Sequence, residues 1–277
     1  MAGNSAEETL ISVSAANAAA GDSQTRIRME ECAAAMVKAG DILLKSGSEV
    51  YRVEDLMNAI GDSFPMIDSC ASYVTLTGVM VTVTYQGQFA TKIVRVHQIG
   101  TNLSKIRLIS ELAHDLAEHP QNPTDVLEQL EEIDNMQTYP LWQSTLFAGI
   151  GATGFGLFFQ AGYLALPWIF ICGCLVQLLG HFFERLPFNR FLMTLFQACF
   201  AAIFCSLVIP LAGKHEAVDT MLLSILMLLV PGMTLTNGLR DTLSGNYLSG
   251  VCRFAEVLLV GVSIAMGAAI GLSLFSR

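Results

Sequence analysis

The chain has 277 residues, 53% hydrophobic and 14% charged, with a formal net charge of −9. Average soluble domains hold about 45–50% apolar and about 25% charged residues, so the composition points to a membrane protein of one or two domains. The acidic balance argues against nucleic acid as a partner.

The charge is unevenly placed. Residues 1–140 hold 9 Lys or Arg and 19 Asp or Glu, whereas residues 141–277 hold 6 and 5. Two solvents explain a break near Pro140: the first half faces water, and the second mostly faces lipid, where each charge is costly. The seven cysteines, at 32, 70, 172, 174, 199, 205 and 252, have no zinc-ligand spacing with histidine and read as small buried apolar residues. No metal site and no cofactor is expected.

In chain order, residues 1–25 lack the basic start and apolar core of a signal peptide. They are rich in Ala, Ser, Asn and Glu and read as a disordered tail, which places the water-facing half in the cytoplasm. Residues 26–45 read as an amphipathic helix, with Ile27, Ala34, Met36, Val37, Ile42, Leu43 and Leu44 apolar. Ser46-Gly47 interrupts it. Ser46 and Glu49 have capping-box spacing, which starts a second helix near Ser48 that Gly61-Asp62 ends. Residues 70–96 are rich in Val, Thr and Tyr and read as strands at about 71–76, 79–85 and 89–96, with a tight turn at Gln86-Gly87. Asn102 or Thr101 caps a third helix, and Asn122-Pro123 opens a fourth, to about Met136. Residues 26–140 thus form a small cytoplasmic α+β domain.

Residues 141–277 read as an α-helical polytopic membrane domain of about five transmembrane helices. No charged residue occurs from 141 to 183, and about 20 apolar residues cross a bilayer. The spans are expected at about 141–159, 163–182, 191–212, 220–239 and 254–275. Arg185, Arg190, Arg240 and Arg253 fall on the cytoplasmic side if the N-terminal domain is inside, against Lys214 and Arg277 outside, as the positive-inside rule favours. Ser263, Gly267 and Gly271, spaced by four, allow close helix contact, either within this chain or with a partner.

One segment, PGMTLTNGLRDTLSGNYLSGVCRFAE at 231–256, breaks the membrane pattern. Pro231-Gly232 frees backbone groups inside the fourth span, which requires burial in protein or a wet cavity. Asn237, Arg240, Asp241, Ser244, Asn246, Ser249, Arg253 and Glu256 follow. Polar groups gathered at a broken helix are a way to build a transport site. Arg240 and Ser244 share a helix face with Asn237, and Asp241 flanks it. Arg253 and Glu256, three apart, can pair. Arg240 could hold a substrate carboxylate on two hydrogen bonds, and Asp241 or Glu256 could carry a proton. An ordinary cytoplasmic loop with positive-inside arginines explains the same residues.

Other candidates are weaker. In SGSEVYRVED at 46–55, Glu49 fits a cap and Arg52 with Asp55 fits a surface pair. His97, His114 and His119 lack catalytic or metal spacing, and His181 and Glu184 fit a membrane boundary. There is no phosphate loop and no nucleophile elbow. No catalytic residue is assigned, and the chain is not expected to be an enzyme.

Two segments, GDILLKSGSEVYRVED at 40–55 and the stretch 231–256, resemble the threonine/serine exporter family of bacteria. The resemblance covers the chain from about residue 26. Gly47, Glu49, Arg52, Val53 and Glu54 match the N-terminal motif of that family. Pro231, Gly232, Asn237, Arg240, Asp241, Ser244, Gly245, Gly250, Arg253 and Glu256 match its membrane motif. Single-chain members carry about twice as many spans as are expected here, so the resemblance implies the larger subunit of the split, two-gene form. It implies an oligomeric assembly in the bacterial plasma membrane with a small polytopic membrane subunit as partner. The expected cargo is threonine and serine or a dicarboxylate such as succinate, moved by proton-coupled secondary export. The alternatives from the residues are a membrane-anchored enzyme, since the family's N-terminal region has been likened to hydrolases, and a membrane sensor or scaffold.

Overall fold

The computed structural model describes residues 4–136, 139–186, 188–212 and 217–274, with side chains described outside 4–23, 209–212 and 217–218. The chain divides into two compact units. The first joins Met1–Gln137 with Arg240–Ser249, and the second joins Thr138–Leu239 with Gly250–Arg277.

The first unit opens with α1 (Asn4–Lys45) and α2 (Val50–Asp62), followed by strands β1 (Ser69–Thr75), β2 (Gly78–Tyr85) and β3 (Gln88–Arg95), then α3 (Leu103–Glu118) and α4 (Pro123–Asn135). The helical assignment of α1 begins well before residue 26. The strands form an antiparallel meander in the order β1-β2-β3. The expected turn lies between β2 and β3, where Gln86 and Gly87 have φ of 49° and 78°. Positive φ at both central residues matches the twist of the flanking strands. Asp68 Oδ2 accepts the Gln86 N–H at 2.6 Å. Alternate residues Val79, Val81 and Val83 of β2 are buried, in one core with Met36, Ile42 and Leu43 of α1 and Val53, Met57 and Ile60 of α2. Period-two burial on the strand thus meets helical periodicity on α1 and α2.

The ends of these helices are set by identifiable contacts. α1 closes through Ser48 N–H to Leu43 O at 3.1 Å and Gly47 N–H to Leu44 O at 3.0 Å. This two-bond cap needs a left-handed residue, and Gly47 has φ +85°. A Cβ there would lie 2.6 Å from Gly100 O. The capping box expected at Ser46 and Glu49 is not formed. Glu49 is itself the N-cap of α2 and makes no side-chain cap bond, because its carboxylate is engaged elsewhere. Gly61 does not end α2 but lies within it, where an added Cβ would meet Cys70 Sγ at 2.6 Å. Asn102 caps α3, its Oδ1 accepting Lys105 N–H at 3.1 Å, and Pro123 is the first residue of α4. The Asp134 carboxylate, which receives Lys38 and Lys105, ties α4 to α1 and α3. Burial raises this carboxyl, but the two ammonium groups outweigh it and hold Asp134 below the usual carboxylate range.

The second unit is built from α5 (Leu141–Phe158), α6 (Leu166–Glu184), α7 (Arg190–Ala212), α8 (Ala217–Leu226), and parts of α9 (Gly232–Leu243) and α10 (Tyr247–Ser273). Among the described residues, three helices are long and apolar enough to cross a membrane: Leu166–Glu184, Arg190–Val208 and Tyr247–Ser273. α5 is not among them; Gln143, Ser144, Thr145 and four glycines dilute its 18 residues. The stretch expected as a fourth span is divided, with α8 ending at Leu226 and α9 starting after Pro231. Lys214 and Arg277, expected outside, lie beyond the described residues. The small residues of α10 pack within the chain: a Cβ on Gly271 would meet Ala202 and Cys199 O of α7, each at 2.6 Å.

Candidate functional site

The segment 240–249 packs as part of the first unit, although the chain on either side of it belongs to the second. Its local fold repeats the device at Gly47. α9 closes through Asn246 N–H to Asp241 O at 2.8 Å and Gly245 N–H to Thr242 O at 3.1 Å, with Gly245 at φ +89°. The chain therefore reverses within Ser244-Gly245-Asn246 and starts α10 at Tyr247.

This turn carries Arg240 and Asp241 to the start of α2. Arg240 Nη1 donates to Glu49 Oε1 at 2.6 Å. The Glu49 side chain is 7% exposed and that of Arg240 61%. Asp241 is fully buried, and its Oδ1 accepts the Val50 N–H at 2.9 Å. The first N–H groups of a helix have no intrahelical acceptor, so Asp241 supplies from 191 residues away the cap that Glu49 does not. A carboxylate there is also favoured by the positive end of the helix dipole. Burial raises the Glu49 carboxyl, but a bond from its own backbone N–H and the Arg240 guanidinium outweigh this. The group is held below the usual carboxylate range.

The other N-terminal motif residues have separate tasks. Glu54 Oε1 accepts Val74 N–H at 2.8 Å, tying α2 to β1; burial pushes its carboxyl above the usual range despite that bond. Arg52, expected beside Asp55, donates instead to Ser110 Oγ of α3 at 3.2 Å. It lines an open cavity of about 470 Å³ with Ile106, Arg107 and His114.

In the second unit, Pro231 O accepts Leu235 N–H at 3.1 Å and so begins α9. Space around Gly232 is open. Asn237 and Arg253 are buried, and Gly238 lets α9 approach Arg253, whose Cβ would lie 3.1 Å from an added Cβ. The pair expected between Arg253 and Glu256 is replaced: Glu256 Oε1 accepts from Arg190 Nη1 of α7 at 2.7 Å. Ser244 is exposed at the turn. The structure thus brings Glu49, Arg240 and Asp241 together and places Arg52, Glu54 and Glu256 in other contacts. Arg190 and Ser110 were not foreseen as partners, since no sequence spacing joins residues 66 and 58 apart. Among the described residues no cluster of His, Cys, Asp and Glu could hold a metal ion.

Residues 34–275 match the family described as "Putative threonine/serine exporter". The chain is 20% identical over 239 residues to a protein of Mycobacterium tuberculosis named "Probable threonine/serine exporter", covering 85% of this chain and 45% of that protein. It is 25% identical over 191 residues to an uncharacterized protein of Schizosaccharomyces pombe, covering 66% of this chain and 25% of that one. The chain thus spans less than half the length of these curated relatives. No solved structure matches it. With a family match that runs through both units and helices apolar enough for a bilayer, the chain belongs to the threonine/serine exporter family of multi-pass membrane proteins.

Proposed function

We propose that this chain is a subunit of a plasma-membrane exporter for small carboxylate-bearing solutes, threonine and serine or a dicarboxylate such as succinate. The observation that carries the reading is the meeting of Arg240 and Asp241 with the N-terminal motif, directly after a broken apolar stretch. Arg240 is largely exposed and makes a single-nitrogen bond to Glu49, so a substrate carboxylate can reach its fork and take two bonds in place of that one. Asp241 is the better proton carrier of the two candidates. It is fully buried at a helix start, so proton uptake there would weaken the cap on α2. Glu256 is committed to Arg190.

In this reading five spans cross the bilayer, at about 141–159, 163–182, 191–212, 220–239 and 254–275. The N-terminal domain lies in the cytoplasm. A second small polytopic subunit completes the assembly. Export is secondary and proton-coupled. The test is efflux of labelled threonine, serine and succinate from loaded vesicles containing this chain and its membrane partner, with and without a proton gradient. Arg240→Ala is expected to abolish efflux at equal expression. Undiminished efflux would remove Arg240 from the site.

A further inference from the structure

Glu49 is a carboxylate held by a guanidinium, and the proposed cargo presents a carboxylate to the same guanidinium. The two contacts at the start of α2 differ in kind. The Arg240–Glu49 pair joins a largely exposed Arg240 to a buried Glu49 through one nitrogen and one oxygen. Exposed ion pairs are worth a factor of about five or less; here the exposed side is Arg240, and the buried Glu49 carboxylate keeps the bond from its own backbone N–H when Arg240 leaves. The Asp241–Val50 contact is buried, and leaving a buried N–H without its acceptor costs a factor of about 5–150. The first contact therefore opens more readily than the second. An incoming carboxylate that takes two nitrogens of the Arg240 fork has a better geometry than the single bond Glu49 makes.

Resting on the reading of Arg240 as the carboxylate-binding residue, we propose that Glu49 is an internal competitor of the exported solute. Its carboxylate occupies Arg240 in the empty protein and is displaced by the substrate carboxylate, while Asp241 continues to hold α2. The surrounding backbone holds the N-terminal side of this residue in place. Gly100 N–H is bonded to Lys45 O at 2.8 Å and Asn102 N–H to Ser46 O at 3.0 Å, so the turn before Glu49 is fixed. Glu49 O accepts Val53 N–H at 3.1 Å as the first bond of α2, which passes the displacement to the first turn. Glu49 thus sets the concentration at which export begins and excludes solutes that lack a carboxylate.

The test uses the full chain in the efflux preparation described above. Glu49→Gln removes the competing charge and is expected to lower the KM for threonine and succinate two- to fivefold, with Glu49→Asp moving it less. The exchanged pair, Glu49→Arg with Arg240→Glu, restores an ion pair and is expected not to restore efflux. An unchanged KM in Glu49→Gln, or recovered efflux in the exchanged pair, overturns the proposal in favour of a purely structural bridge. A second measurement needs no variant. Hydrogen exchange at residues 51–53 of the wild-type chain in lipid nanodiscs is expected to rise up to about fivefold with whichever of threonine and succinate is exported and to stay constant with threoninol, which has no carboxylate. Exchange indifferent to both threonine and succinate overturns the competition even where Arg240→Ala abolishes efflux, an outcome that leaves the transport reading standing. Efflux that survives Arg240→Ala overturns both.

Discussion

Asp241 offers the sharpest test of how the two motif segments are joined. It is fully buried and its Oδ1 accepts the Val50 N–H at 2.9 Å. Asp241→Ala removes that acceptor, which costs about 1–3 kcal/mol for a buried donor, and removes a charge at the helix start worth about 0.3–1 kcal/mol. Asp241→Asn keeps an oxygen in place for the Val50 N–H and, at this helix start, loses the second contribution. A membrane protein of two units need not unfold in one step, so the assay is local: hydrogen exchange of the amides at residues 50–57 in the full chain. At about 1.4 kcal/mol per factor of ten, Ala is expected to speed exchange there by about tenfold or more, and Asn by less than about fivefold. Equal exchange in the two variants would refute the assignment of Asp241 as the cap of α2.

Gly47→Ala forces a side chain into the left-handed region and against Gly100 O; a loss of about 1–2 kcal/mol from backbone strain alone is expected, read as a lower melting temperature of the full chain in detergent. In α10, Gly271→Ala would drive a methyl into the backbone of α7, whereas Gly261 faces open space. The first is expected to cost about 1–3 kcal/mol and the second to be near neutral by the same melt. Glu54, with its carboxyl raised by burial, stabilises the fold below its unfolded pKa and loses that contribution as pH rises through its folded pKa. Glu54→Gln keeps an acceptor for Val74 and should therefore stabilise at neutral pH but not in acid. Glu49 and Asp134, with lowered carboxyls, act in the opposite sense. Their contributions are full above the unfolded pKa and lost as pH falls through the folded one, so Asp134→Asn should destabilise at pH 7 and lose its effect in acid.

Much of the local structure was legible because it depends on neighbours in the chain. The three strands, the Gln86-Gly87 turn, the Asn102 cap and the Pro123 start each follow from residues within a few positions of one another. The break at Pro231 follows from the lost N–H of proline. The capping box does not form although Ser46 and Glu49 have the right spacing, because Arg240 takes the Glu49 carboxylate. Likewise, Arg253 and Glu256 are spaced to pair along α10, and Glu256 turns to Arg190 on α7 instead.

Patterning alone determined that a charged segment precedes apolar helices, because charge and hydropathy act on each residue irrespective of its distant neighbours. It also singled out 46–55 and 231–256, since each interrupts a regular pattern. Only the tertiary structure decided that these two segments belong together. Asp241 caps a helix that begins 191 residues earlier, and Arg240 reaches the residue before it. The physical reason is that a helix start leaves orphan N–H groups wherever it lies, and any acceptor the fold brings close can satisfy them; one-dimensional spacing carries no record of which one it will be.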